Sequence, residues 1–124
     1  MRIKKARQIL KSFADDTRLR IVNLLHKQEL NVTELCEILQ VAQSNLSKHL
    51  TRLRLTGVAG DRRDGLNVYY HLIKPKEKAH RELLNSITVG LVELETFEQD
   101  LERLRSLRRL NRNKDNIEKG GSEK

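Results

Sequence analysis

Residues 31–57 read NVTELCEILQVAQSNLSKHLTRLRLTG. Asn31 and Glu34 make an Asn-x-x-Glu version of the capping box just before Leu35, Ile38 and Leu39, so a short helix begins there. Gln40-Val41-Ala42 supply a tight turn. A second helix runs from about Gln43 to Thr56 and is stopped by Gly57. Its Leu46, Leu50 and Leu53 recur at helical spacing and face a core. That leaves Gln43, Ser44, Asn45, Ser47 and Lys48 pointing outward near the N-terminal end. Two short helices across a tight turn, the second crowded with polar and basic side chains, form a helix-turn-helix.

A hairpin follows at once in residues 58–72, VAGDRRDGLNVYYHL. Asp64-Gly65 is a two-residue hairpin signal flanked by strands over 58–63 and 66–72. Leu66, Val68, Tyr70 and Leu72 alternate with Asn67, Tyr69 and His71, so one face of the second strand is expected to be buried. A helix-turn-helix followed by a basic β-hairpin wing suits duplex DNA: one helix fits the major groove and the hairpin reaches the neighbouring backbone.

On the N-terminal side, Ile3, Ala6, Ile9, Leu10 and Phe13 mark an amphipathic helix over residues 2–13. Asp15 can cap a second helix from Asp16 to about Lys27. On the C-terminal side, Pro75 suits the first turn of a last helix. Apolar residues from Leu83 or Leu84 through Ile87, Leu91, Leu94, Phe97, Leu101 and Leu104 to Leu107 read as one continuous stripe, which Gly90 bends without breaking. At about 1.5 Å per residue that helix would be roughly 50 Å long, more than a small domain can cover. The stripe therefore predicts a second copy of the chain as its partner. Ile3, Leu10, Leu84, Ile87, Leu91, Leu94 and Leu101 are the expected dimer interface. The expected fold is mainly α with a two-stranded β-hairpin wing: a winged helix-turn-helix with a long C-terminal dimerisation helix. One domain spans residues 1–110, and the polar, Gly-containing residues 111–124 are expected to be a disordered tail.

The charge balance points the same way. A net charge of +8 favours a polyanionic partner. Aromatics make up only 3% of the chain and Trp is absent, which argues against a stacking platform for single strands. No apolar run reaches the roughly 20 residues of a membrane span, and no secretory signal is read before the first helix, so the cytoplasm is the expected location. Cys36 is the single cysteine and cannot form an intrachain disulfide. There is no Gly-rich phosphate loop, no nucleophile with a base and no pocket-like pair of acids, so no enzyme is expected.

FADDTRLRIVNLL, NVTELCEILQVAQSNLSKHLTRLRLTGVAG and DGLNVYYHL together resemble the ArsR/SmtB-type winged-helix repressors of bacteria. The resemblance covers about residues 7–74, with several segments in order and at family-like spacing. It implies a homodimer that binds an inverted-repeat DNA operator and represses, commonly released by a metal ion or a thiol-reactive species. It places the DNA-reading positions at Gln43, Ser44, Asn45, Ser47, Lys48 and His49, with wing contacts at Arg62, Arg63 and the Asp64-Gly65 tip. Arg52 is the further basic candidate on the same helix. One departure is Ala42, where the family often has a capping Ser.

The sensing sites depart further. Metal sensors of the family carry Cys-x-Cys where this chain reads ELCEILQ, so Cys36 fills the first thiol position and Ile38 the second. One soft donor cannot make a thiophilic site. The family's other site uses carboxylate and histidine pairs on the last helix, where His80 here stands alone. No metal, cofactor or inducer is therefore assigned. Cys36 reads either as a small buried helix residue, or as a single redox thiol or a bridge across the dimer. His49 reads as a packing or phosphate-touching residue rather than a proton switch. Two function classes stay open: a sequence-specific DNA-binding regulator, and a protein-interaction module that docks partners with its winged helix and long C-terminal helix.

Overall fold

The computed structural model describes the backbone of residues 1–122 and the side chains of residues 1–114. The chain order is α1 (Ile3–Phe13), α2 (Asp16–Lys27), β1 (Leu30–Asn31), α3 (Val32–Leu39), α4 (Gln43–Leu55), β2 (Ala59–Asp64), β3 (Asn67–Leu72), α5 (Lys78–Thr88) and α6 (Glu95–Ser122). Local chemistry fixes the starts of α2 and α3. Asp15 Oδ1 accepts from the Arg18 N–H at 3.0 Å. The capping box of α3 is complete: the Glu34 N–H donates to Asn31 Oδ1 at 2.8 Å, and the Asn31 N–H donates to Glu34 Oε1 at 2.9 Å. Such caps satisfy N–H groups that have no partner within the helix.

The core lies between α2, α3 and α4. Ile21, Leu24, Leu35, Leu46 and Leu53 are fully buried there, with Ile9 and Phe13 of α1 on one side. The turn before α4 is made possible by Gln40, which adopts the left-handed conformation at φ 57°. Gly57, at φ 74°, ends α4 in a conformation that a side chain disfavours.

The sheet has three strands in the order β1-β3-β2, all antiparallel. The short β1, which pairs Leu30 with Tyr70 and Asn31 with Tyr69, was not legible beforehand because two residues carry no alternation. The hairpin register also differs from expectation. Asp64 pairs with Asn67, so the loop is Gly65-Leu66 rather than Asp64-Gly65. Gly65 takes φ 61°, which suits a turn with Gly at its first central position. Leu66 is consequently at the tip and fully exposed, while Tyr70 and Leu72 do pack on the core.

The largest correction concerns the C-terminal helix. It is not one rod from Pro75; α5 starts at Lys78 and ends at Thr88, and α6 begins at Glu95. Gly90 is the breaking residue. The Val89 and Gly90 N–H groups both donate to the Asn85 carbonyl, and a Cβ at Gly90 would collide with the Ser86 carbonyl oxygen. The break lets α6 fold back across α2 and α3. Phe97 and Leu104 of the stripe are thereby buried in their own chain, as are Leu84 and Ile87. The helix continues through residues 111–122, where a structureless tail was expected, and residues 123–124 lie outside the described residues.

One ion pair holds this fold-back. Asp100 is wholly buried and accepts from Arg20 Nε and Nη2, both at 2.8 Å. Arg20 also donates to the Leu39 carbonyl at 3.3 Å, and Arg103 donates to the Ile38 carbonyl at 3.4 Å. The last carbonyls of α3 are thus capped by side chains from α2 and α6. The bond to Asp100 pushes the Arg20 guanidinium further above its ordinary value despite the opposing effect of burial.

Candidate nucleic-acid interface

On α4, Leu46, Leu50 and Leu53 are at most 1% exposed, which fixes the rotation of the helix about its axis. Gln43, Ser44, Asn45, Ser47, Lys48 and Arg52 are all exposed as a consequence. Ala42 gives no side-chain cap, so the first N–H groups of α4 have no capping oxygen from it. The chemistry presented is amide and hydroxyl groups in the first turn, then ammonium and guanidinium groups beyond.

His49 behaves differently from its neighbours. Its Nδ1 lies 3.0 Å from Arg18 Nη1 and 3.6 Å from Asp15 Oδ1. Arg18 also donates to the Ser12 carbonyl at 2.6 Å and the Lys11 carbonyl at 3.2 Å. His49 is therefore tied to a clamp joining the end of α1, the start of α2 and the middle of α4. This gives ADDTRLRI a physical reading: Asp15 caps, Arg18 clamps, and Arg20 receives Asp100.

The wing divides its two arginines. Arg62 donates through Nε to Glu29 at 2.6 Å and through Nη2 at 3.2 Å, and its guanidinium lies 4.6 Å above the Tyr69 ring. It braces the hairpin against the end of α2. Arg63 is exposed, and no acid pairs with it among the described residues. Gly65 stands at the exposed tip beside Leu66. The bracing by Glu29 was missed in the sequence because the two residues are far apart in the chain.

The expected interface residues separate into two sets. Ile3 is 85% exposed and Leu10 53%, both on the outer side of α1, and Leu94 is 43% exposed ahead of α6. Leu91 and Leu101 are half-buried, whereas Leu84 and Ile87 are core. Val89 and Val92 add exposed apolar surface in the α5–α6 connection that the stripe did not include.

Cys36 is half-buried on α3, and burial pushes its thiol above the ordinary cysteine value, away from the reactive thiolate form. Ile38 is 1% exposed, and its carbonyl accepts from Arg103 of α6. Among the described residues no three His, Cys, Asp or Glu side chains converge as a metal site. No helix among them is long and apolar enough to cross a membrane.

Residues 15–59, the segment from the Asp15 cap through α4, match the model of the bacterial regulatory protein family arsR. The transcriptional repressor PagR of Bacillus anthracis is 40% identical over 88 residues, covering 70% of this chain and 88% of PagR. The chain belongs to the arsR family of bacterial regulatory proteins. A second relative, the transcriptional activator HlyU of Vibrio cholerae, is 40% identical over 83 residues, covering 67% of this chain and 77% of HlyU. Solved structures agree with the fold. The PagR crystal structure matches with a TM-score of 0.54, covering 67% of this chain and 95% of PagR. The homodimeric winged helix-turn-helix DNA-binding domain Mb0332 of Mycobacterium bovis, 25% identical, matches with a TM-score of 0.62, covering 73% of this chain and 82% of that domain. The chain is therefore a winged helix-turn-helix protein of a family of transcriptional regulators.

Proposed function

We propose that this protein is a cytoplasmic homodimeric transcriptional repressor that binds an inverted-repeat operator. The observation that carries the reading is α4: its leucines are locked in the core, so Gln43, Ser44, Asn45, Ser47 and Lys48 are held outward as one polar and basic face. In the major groove, Gln43 and Asn45 are placed to read base edges, with Ser44 and Ser47 beside them. Lys48, Arg52 and Arg63 meet phosphates, and the Gly65 tip allows close approach to the backbone. Arg62 contributes only by exchanging Glu29 for a phosphate. His49 acts by holding α4 in place.

Ile3 and Leu10 of α1, with Leu91, Leu94 and Leu101, form the surface a second copy covers. Leu84 and Ile87 support it from beneath. Two copies related by a two-fold axis present two copies of α4, which matches an inverted repeat. Cys36 serves as a packing residue of α3 in this reading.

Binding of the protein to its selected operator duplex across a salt series tests the proposal. Neutralised phosphates release counterions, so log K should fall linearly with log salt, and a random duplex should bind far more weakly. A protein-docking module would bind neither duplex in a salt-dependent way.

A further inference from the structure

Between the end of α2, the end of β3 and α5 lies a cleft of about 630 Å³, within the size range of small-molecule sites. Its floor includes Leu25, Leu72 and Leu84, and its mouth carries His71, Lys74 and Arg81. None of the described residues that line it is acidic. Glu77, two residues beyond Pro75 in the chain, is turned instead to Lys5 and the terminal amine.

Arg81 is held in place at this mouth. Its Nη1 donates to the Lys76 carbonyl at 2.7 Å and to the Pro75 carbonyl at 3.2 Å. Nε and Nη2 have no partner among the described residues, which leaves one edge of the fork open for a carboxylate. His71 connects the cleft to the wing: a Cβ on Gly60 would stand 2.7 Å from His71 Nε2, so the ring lies across β2.

We propose that this cleft binds a small organic monoanion with an apolar body, of the class of medium-chain carboxylates. The acid group meets Arg81 and Lys74, and the chain lies along the leucine floor. An apolar floor alone would take a neutral molecule equally well. The one-signed mouth is what selects the anion. The claim stands apart from the DNA-binding reading, and its test needs no DNA.

Octanoate and 1-octanol are suitable probes, titrated into the full-length protein by calorimetry and by the imidazole C–H resonances. Octanoate should bind saturably with a Kd below about 1 mM, and octanol about tenfold more weakly. The His71 and His26 signals should move while those of His49 stay in place. Lys74→Glu should weaken octanoate about tenfold, and Arg81→Lys should weaken it by less, since the first reverses a charge and the second keeps the charge but loses the fork. Lys74 is exposed and makes no side-chain bond among the described residues, so its variant keeps the test readable if Arg81→Lys fails to fold. Octanol binding as tightly as octanoate, or Lys74→Glu binding it unchanged, would overturn the proposal. So would the absence of saturable binding, or His71 signals that move on dilution instead of titration, which would mean that a second copy of the chain occupies the cleft.

Discussion

α4 and α6 are both amphipathic helices on the same three-helix core, yet they are held in different ways. α4 is positioned by leucines at local spacing and spends its other face on solvent. α6 is positioned by a buried Asp100 whose partner, Arg20, is 80 residues away in the chain. The comparison teaches that α4 can change its outward residues without touching the fold, whereas α6 cannot lose one inward charge. In the first case substitution is expected to alter recognition; in the second it is expected to alter stability.

The sharpest way to break the contrast is Asp100→Ala. It strands the half-buried Arg20 guanidinium and should cost about 3–5 kcal/mol, read from the urea midpoint. A loss below about 1 kcal/mol would mean that the pair is solvated and α6 is only loosely docked. Ile3→Glu together with Leu10→Glu should come next. Both side chains are exposed in the single chain, so the fold should survive while sedimentation reports monomers and operator affinity falls. A folded double variant that stays dimeric would move the interface elsewhere.

A smaller effect separates the two wing arginines. Arg63→Ala should lower the salt slope by about one unit per lost phosphate contact, and Arg62→Ala by less, because Glu29 already holds Arg62. Equal slopes for the two would mean that the Glu29 pair opens on DNA. The smallest effect concerns His80. Burial pushes its pKa below the ordinary histidine value, with Lys5 adding to the shift, and its Nε2 has no partner among the described residues. The unfolded chain therefore takes up the proton more readily than the folded one. Stability should be complete above about pH 6.5 and decline as the pH falls below it. His80→Leu should flatten that decline in denaturation curves between pH 7 and 5.

The same contrast explains what could be read beforehand. Several features set by neighbours in the chain are legible: the Asn31–Glu34 box, the leucines of α4, the missing Ala42 cap and the presence of the hairpin. The turn was placed one residue early because Asp-Gly and Gly-Leu are both acceptable tips, and pairing of Asp64 with Asn67 decides between them. The apolar stripe past Leu83 was seen, but its cover was assigned wholly to a second copy. Asp100 and Arg103 looked like members of an acidic and a basic cluster, and nothing local reveals that they fold back on α2 and α3. The partners of His49 and Arg62 are hidden for the same reason: Arg18 and Glu29 lie far from them in the chain, so the sequence shows His49 only as a DNA-reading position and Arg62 only as a wing contact.

If α4 reads bases, it does so with side chains that contribute nothing to its fold. Affinity of wild type and Gln43→Ala, measured on the selected operator and on a random duplex, tests it most directly. A loss of about 1–3 kcal/mol is expected on the operator, with little change on the random duplex and an unchanged urea midpoint. Equal losses on both duplexes, or a shifted midpoint, would contradict it.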